Sequence, residues 1–122
     1  MFPAYWQSFL DQYSLTGKMA SVPEDVDMSG LGAELTFMTP NESKQEAGDF
    51  YPGIAVLADG YVPVGNCEMG TGDPYFINSN DGPNGPLYRI YHEAVHAEEG
   101  YDASEAIATV LDHDNELVKY LE

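Results

Sequence analysis

The sequence predicts an α+β domain, in which a mostly antiparallel sheet of about five strands carries helices packed against it from the N- and C-terminal ends. Three observations point there. Residues 61–93 hold three strand-like runs, YVPVG, PYFIN and PLYRIY, separated by NCEMGTGD and NSNDGPNG. Glycines there permit positive φ, and Asn and Asp bond their own backbone in turns, so the stretch reads as an antiparallel meander. Near the N-terminus Trp6, Phe9, Leu10 and Tyr13 fall at i, i+3, i+4 and i+7, one apolar helical face. The run IAVLA at 54–58 is apolar without alternation, as expected of a central strand covered on both sides.

Taken in order, the first helix has Pro3 suited to its opening turn and Gly17 to end it. Trp6 on that face is expected in the core rather than stacked on a ligand. Residues 18–32, with a Pro, two Gly and three acids, read as a surface loop; Glu24, Asp25 and Asp27 lack the ligand spacing of an EF-hand and are expected to be solvated. AELTFM at 33–38 fits either a strand or the approach to a helix. Thr39, Pro40 and Glu42 then form a capping box with Pro at the first helical position, opening a brief helix that Gly48 closes. Phe50 and Tyr51 are expected to plug one end of the core. Asp59-Gly60 is a two-residue hairpin signal joining IAVLA to YVPVG. Pro63, lacking an N–H, places its strand at an edge or at a bulge. At the C-terminus Ile107, Val110, Leu111, Leu117, Val118 and Leu121 fit one helical face, with Asp102 and Glu105 as a cap, yet Ile107, Thr109 and Val110 also suit a strand.

The 122 residues make a single domain, 1–122, and 43% hydrophobic content with nine Tyr, five Phe and one Trp argues for a folded core. A lone Cys67 forms no internal disulfide, no apolar run reaches membrane-span length, and MFPAYWQSFLDQY lacks the pattern of a signal peptide. A reducing cytoplasm is the expected compartment, with no membrane as partner. The charge is the strongest compositional signal: 21 Asp and Glu against four Lys and Arg, a formal net charge of -17. No nucleic-acid partner is expected, because binding phosphates requires Lys and Arg, of which this chain has only four. Such a field either keeps the protein soluble or steers basic surfaces toward it.

Residues 92–96 read His-Glu-Ala-Val-His, the HExxH pattern of zinc peptidases. On a helix His92 and His96 would share a face and hold zinc while Glu93 served as general base, with Asp102 or Glu116 as third ligand. The run GPLYRIY before it is strand-like, however, and would place His92 at a strand end. The residue three past His96 is Glu99, with Gly100 one place late for the sharp turn the Asp102 option needs. The small zinc metallopeptidase is therefore the alternative, and neither a metal nor another cofactor is expected. Cys67 sits near Glu68 and Asp73, which are expected to raise its pKa. Gly70-Thr71-Gly72-Asp73 reads as a tight turn, with an Asx-type bond from Asp73 setting the start of PYFIN.

The ordered set of strand, Pro-Val-Gly, Gly-Thr-Gly-Asp, aromatic strand, Gly-rich loop, Gly-Pro-Leu-Tyr strand and His-Glu resembles the SUKH superfamily. That superfamily spans bacterial toxin-immunity proteins and fungal regulators of cell-wall synthesis. GDFYPGIAVLADG before the set and a short C-terminal helix after it extend the resemblance over most of the chain. It implies a strand at 107–111, a cap at Asp112 and a final helix to Leu121. It also implies a non-enzymatic binding module, with a basic toxin or effector protein as partner, or alternatively a regulatory scaffold without a toxin. The contact surface expected near the meander combines acids with large amphipathic rings: Asp73, Tyr75, Asp81, Tyr88, His92 and Glu93. Alternation sets Tyr75 and Ile77 opposite Phe76, and Tyr88, Ile90 and His92 opposite Leu87, Arg89 and Tyr91.

Overall fold

The computed structural model describes residues 2–122. Its fold is α+β. In chain order the elements are α1 (Ala4–Tyr13), β1 (Met19–Val22), β2 (Ala33–Phe37), α2 (Pro40–Asp49), α3 (Gly53–Val56), β3 (Tyr61–Cys67), β4 (Tyr75–Asn78), β5 (Leu87–Ile90), β6 (Val95–His96), β7 (Gly100–Tyr101), α4 (Ala103–Ala106) and β8 (Ile107–Leu111). A 3₁₀ helix, Asp114–Tyr120, closes the chain. Antiparallel pairing builds one six-stranded sheet in the order β1-β2-β3-β4-β5-β8, with β6 and β7 forming a separate hairpin.

The sheet is covered on both sides. On one side Trp6, Phe9 and Leu10 of α1 pack with Leu35, Val64, Tyr75, Ile77, Leu87, Val110 and Leu117. On the other, Val56 of α3 packs with Phe76, Ile90, Val95 and Ala106. The alternation expected for β4 and β5 thus holds, and in β4 both sides are core: Tyr75, Phe76 and Ile77 are all buried. Pro63 lies in a central strand at a register shift between Pro63 and Gly65, so the bulge is borne out and the edge is not. The Ser43 hydroxyl of α2 donates to its carbonyl at 2.6 Å.

The capping box is present: Glu42 N–H donates to the Thr39 hydroxyl at 3.1 Å, and Thr39 N–H to the Glu42 carboxylate at 3.0 Å. α1 ends before Gly17, at Ser14, which takes the left-handed conformation of a C-cap. Of the two assignments open for 33–38 and for 107–111, strand is the one formed in each.

Several expectations are corrected. IAVLA is not a strand: 53–56 is a turn of helix that tightens into a 3₁₀ turn at Leu57–Asp59. Of the IAVLA side chains only Val56 is buried, while Ile54 and Leu57 are 38% and 39% exposed. Asp59-Gly60 accordingly ends a helix, with Gly60 as its left-handed cap at φ 95°, rather than turning a hairpin. Residues 18–32 contain β1, which is the additional strand of the sheet. Phe50 and Tyr51 stand 49% and 42% exposed instead of plugging the core. Gly48 does not stop α2, which continues to Asp49. The last helix is capped from His113 rather than Asp112, and it is of the 3₁₀ type.

Both sheet edges are occupied by chain. Leu121 bridges to Ala20 and Glu122 N–H donates to the Met19 carbonyl, covering β1. At the far edge, Met28 N–H donates to the Val110 carbonyl of β8 at 2.9 Å. The 23–32 loop therefore spans the sheet from β1 to β8, which blunts edges that would otherwise pair with another chain.

Candidate functional site

The residues expected at a contact surface divide into three groups. Tyr75 is fully buried and offers nothing to a partner. Its hydroxyl accepts from Arg89 Nη2 at 2.9 Å, and the guanidinium lies 5.3 Å from the ring centroid. Arg89, itself 1% exposed, also donates to the Ser29 hydroxyl at 2.6 Å, the Gly32 carbonyl at 2.6 Å and the Asp27 carboxylate at 3.2 Å. Asp27, expected in solvent, is thus half of a buried ion pair; Glu24 and Asp25 beside it are exposed. Charge pairs of this kind need their remaining hydrogen-bonding groups satisfied, and Arg89 supplies donors to four oxygen partners. Burial pushes the guanidinium pKa down, but Tyr75 and Asp27 outweigh it, so the net shift is upward.

Asp73 and His92 form the second group. The Asp73 carboxylate takes the His92 backbone N–H at 2.9 Å and lies 2.6 Å from His92 Nδ1. Asp73 therefore bonds across the meander to the end of β5, instead of closing an Asx turn in its own loop. Its residue is buried, so the imidazole, whose side chain is 40% exposed, is what this pair presents to solvent.

The third group is open to contact. Tyr88 donates to the Asp81 carboxylate at 2.8 Å, and its ring meets Tyr61 edge to face, centroids 5.4 Å apart at 82°. Tyr101 of β7 donates to the Asp59 carboxylate in the same fashion. Burial first, then the bonded carboxylate, raises both phenols above their ordinary range, so each stays a donor at neutral pH. Two shallow depressions flank the β6–β7 hairpin. One, of about 620 Å³, is lined by Asp59, Tyr61, Asn78 and Glu99; the other, of about 520 Å³, by Glu93, His96, Asp102 and Glu105, and Tyr101 stands in the wall of both. No Lys or Arg lines either among the described residues.

The HExxH residues do not share a helix. His92–Ala94 is a 3₁₀ turn and Val95–His96 a strand, so the i, i+4 geometry that brings two imidazoles to one metal is lost. Among the described residues, no group of three or more His, Cys, Asp or Glu side chains is arranged to hold a metal ion. Cys67 is a correction of sign. Burial pushes its thiol up, but hydrogen bonds from the Thr71 hydroxyl and the Met69, Gly72 and Thr71 backbone hold it below its ordinary value.

No family model, no curated protein and no solved structure matches the chain.

Asp59, Tyr61 and Tyr101 carry no joint signal in the sequence, because Asp59-Gly60 reads there as a hairpin turn and Tyr101 lies far from it along the chain. Arg89 carried a usable signal: it is one of only four Lys and Arg in the chain, and it interrupts an aromatic strand.

Proposed function

We propose that this chain is an acidic, non-enzymatic binding module whose partner is a basic protein, in the manner of the SUKH immunity proteins that its sequence resembles. The observation that carries this is the face around the β6–β7 hairpin, where Tyr101, held by Asp59, stands among acids with no Lys or Arg beside them among the described residues. Tyr88 and Tyr101 are anchored on Asp81 and Asp59; Glu93, Glu99, Asp102 and Glu105 line the two depressions that share Tyr101, and Tyr88 joins them through its ring contact with Tyr61. Tyrosines ordered before binding lose little rotamer freedom on contact, and their rings supply area that charge alone does not. The surrounding carboxylates and a net charge of -17 steer a positive surface toward them. A toxin that handles nucleic acid has such a surface.

The test is capture of a basic partner at low salt, followed by stopped-flow association kinetics. Between about 0.05 and 0.5 M NaCl the on-rate should fall by roughly ten-fold or more. Glu99→Gln with Asp102→Asn should flatten that dependence, while Tyr101→Ala should mainly speed dissociation. An on-rate indifferent to salt, or to both acid substitutions, would sink the reading.

A further inference from the structure

Away from this face, a half-enclosed pocket of about 290 Å³ lies between α1 and the start of the closing 3₁₀ helix. Tyr5, Trp6, Phe9 and Gln12 of α1 form one wall, with Asn84 and Asp114 opposite. Asp114 is only 2% exposed. Its backbone N–H is engaged with the Gly85 carbonyl, but its carboxyl has no hydrogen-bond or ion-pair partner among the described residues. The adjacent His113 does not fill that role, because its Nδ1 faces the Asn84 carbonyl at 3.0 Å. No Lys, Arg or His lines the pocket among the described residues.

We propose that this pocket receives a primary alkylammonium group, which donates to the Asp114 carboxylate while its alkyl stem packs among Tyr5, Trp6 and Phe9. A buried carboxylate without a donor is an uncompensated charge, and an incoming ammonium supplies both the charge and the hydrogen bonds. Aromatic walls favour a cation over a neutral donor through the ring quadrupole. A bare divalent ion fits less well, since it needs several oxygen ligands and the pocket offers one carboxylate. The volume suits a group of a few heavy atoms, below the range of roughly 300–1,000 Å³ usual for larger ligands. Burial raises the Asp114 carboxyl to about 7, and a bound cation draws it back down. The same chemistry is met in a free small amine and in the end of a lysine side chain. The inference does not depend on the acidic face of the β6–β7 hairpin.

Trp6 is the only tryptophan, so its fluorescence reports on the pocket directly. Titration of the full chain with n-butylammonium at millimolar concentration should give a saturable change, and n-butanol and NaCl should not. Asp114→Asn, with its fold checked by circular dichroism, should weaken the response by at least about ten-fold. Binding should weaken as pH falls through about 7, with Tyr5 and His113 the titratable neighbours to be allowed for. A blocked tripeptide Gly-Lys-Gly separates the sources: a response assigns the pocket to protein lysines, and silence beside a butylammonium response assigns it to free amines. Butylammonium that gives no saturation, or does no better than butanol, or binds Asp114→Asn equally, overturns the proposal.

Discussion

At the residue scale, Asp114 and Asp27 show two outcomes for a buried carboxyl. Asp27 is met by Arg89 and Ser29, whereas Asp114 has only desolvation acting strongly on it, which His113 offsets in part. The consequence for stability has a definite sign. Asp114 has a folded pKa of about 7 against an ordinary value of 3.8. The folded state therefore holds the proton more tightly, and the stability this contributes is complete below the unfolded pKa. It is lost as pH rises to the folded pKa. Asp114→Asn should remove that slope between pH 4 and pH 7 and be more stable than the parent at pH 8 by about 2 kcal/mol, allowing for relaxation around the charge. Urea midpoints across that range check it, and parallel curves for the two proteins would show the group to be solvated. In sequence Asp114 stands in HDNE, where nothing local marks it as buried, because the α1 wall that covers it is about a hundred residues away.

At the element scale, the clearest lesson is the segment 53–60. A short apolar run has no period by which helix and strand can be told apart, and here the choice is made by α2. Gly53 lies against it so closely that an added Cβ would stand 2.4 Å from the Glu46 carbonyl oxygen. A strand starting at that point would part α3 from α2 and leave Val56 without its partners Phe76 and Ile90. Gly53→Ala should therefore cost about 1–3 kcal/mol, as overpacking against rigid backbone does, and lower the thermal midpoint. An unchanged midpoint would mean that the two helices separate freely. The capping box at Thr39, by contrast, was legible, because both of its partners are three residues apart and no distant chain is involved.

At the scale of the whole molecule, the 23–32 loop is held by the sheet it crosses. Arg89 gathers Asp27, Ser29 and Gly32 from that loop onto β5, while Met28 pairs with Val110 on β8. Asp27→Ala would leave the guanidinium buried with fewer partners, one nitrogen, Nε, already having none. Loss of about 3–5 kcal/mol is expected by equilibrium unfolding. The opening should also reach β1 and β8 together, read as faster amide exchange at Val22 and Val110. Destabilisation confined to the loop would show that it does not tie the two edges.

The α+β class, the meander from Tyr61 onward, the helical face of Trp6, Phe9 and Leu10 and the Thr39 cap were all determined by sequence. Each is built from units whose spacing lies within a dozen residues, a strand with its turn, a helical face or a cap, where backbone geometry is set by near neighbours. The strand hidden at Met19–Val22, the helix at Gly53–Val56 and the fate of individual carboxylates were decided only in three dimensions. β1 forms because β2 and the C-terminal residues offer it partners, and Tyr75 is buried because both sides of β4 are covered. Whether an acid such as Asp27, Asp73 or Asp114 is paired, half-shielded or stranded depends on the desolvation and donors that remote chain brings to it, and local pattern carries no record of either.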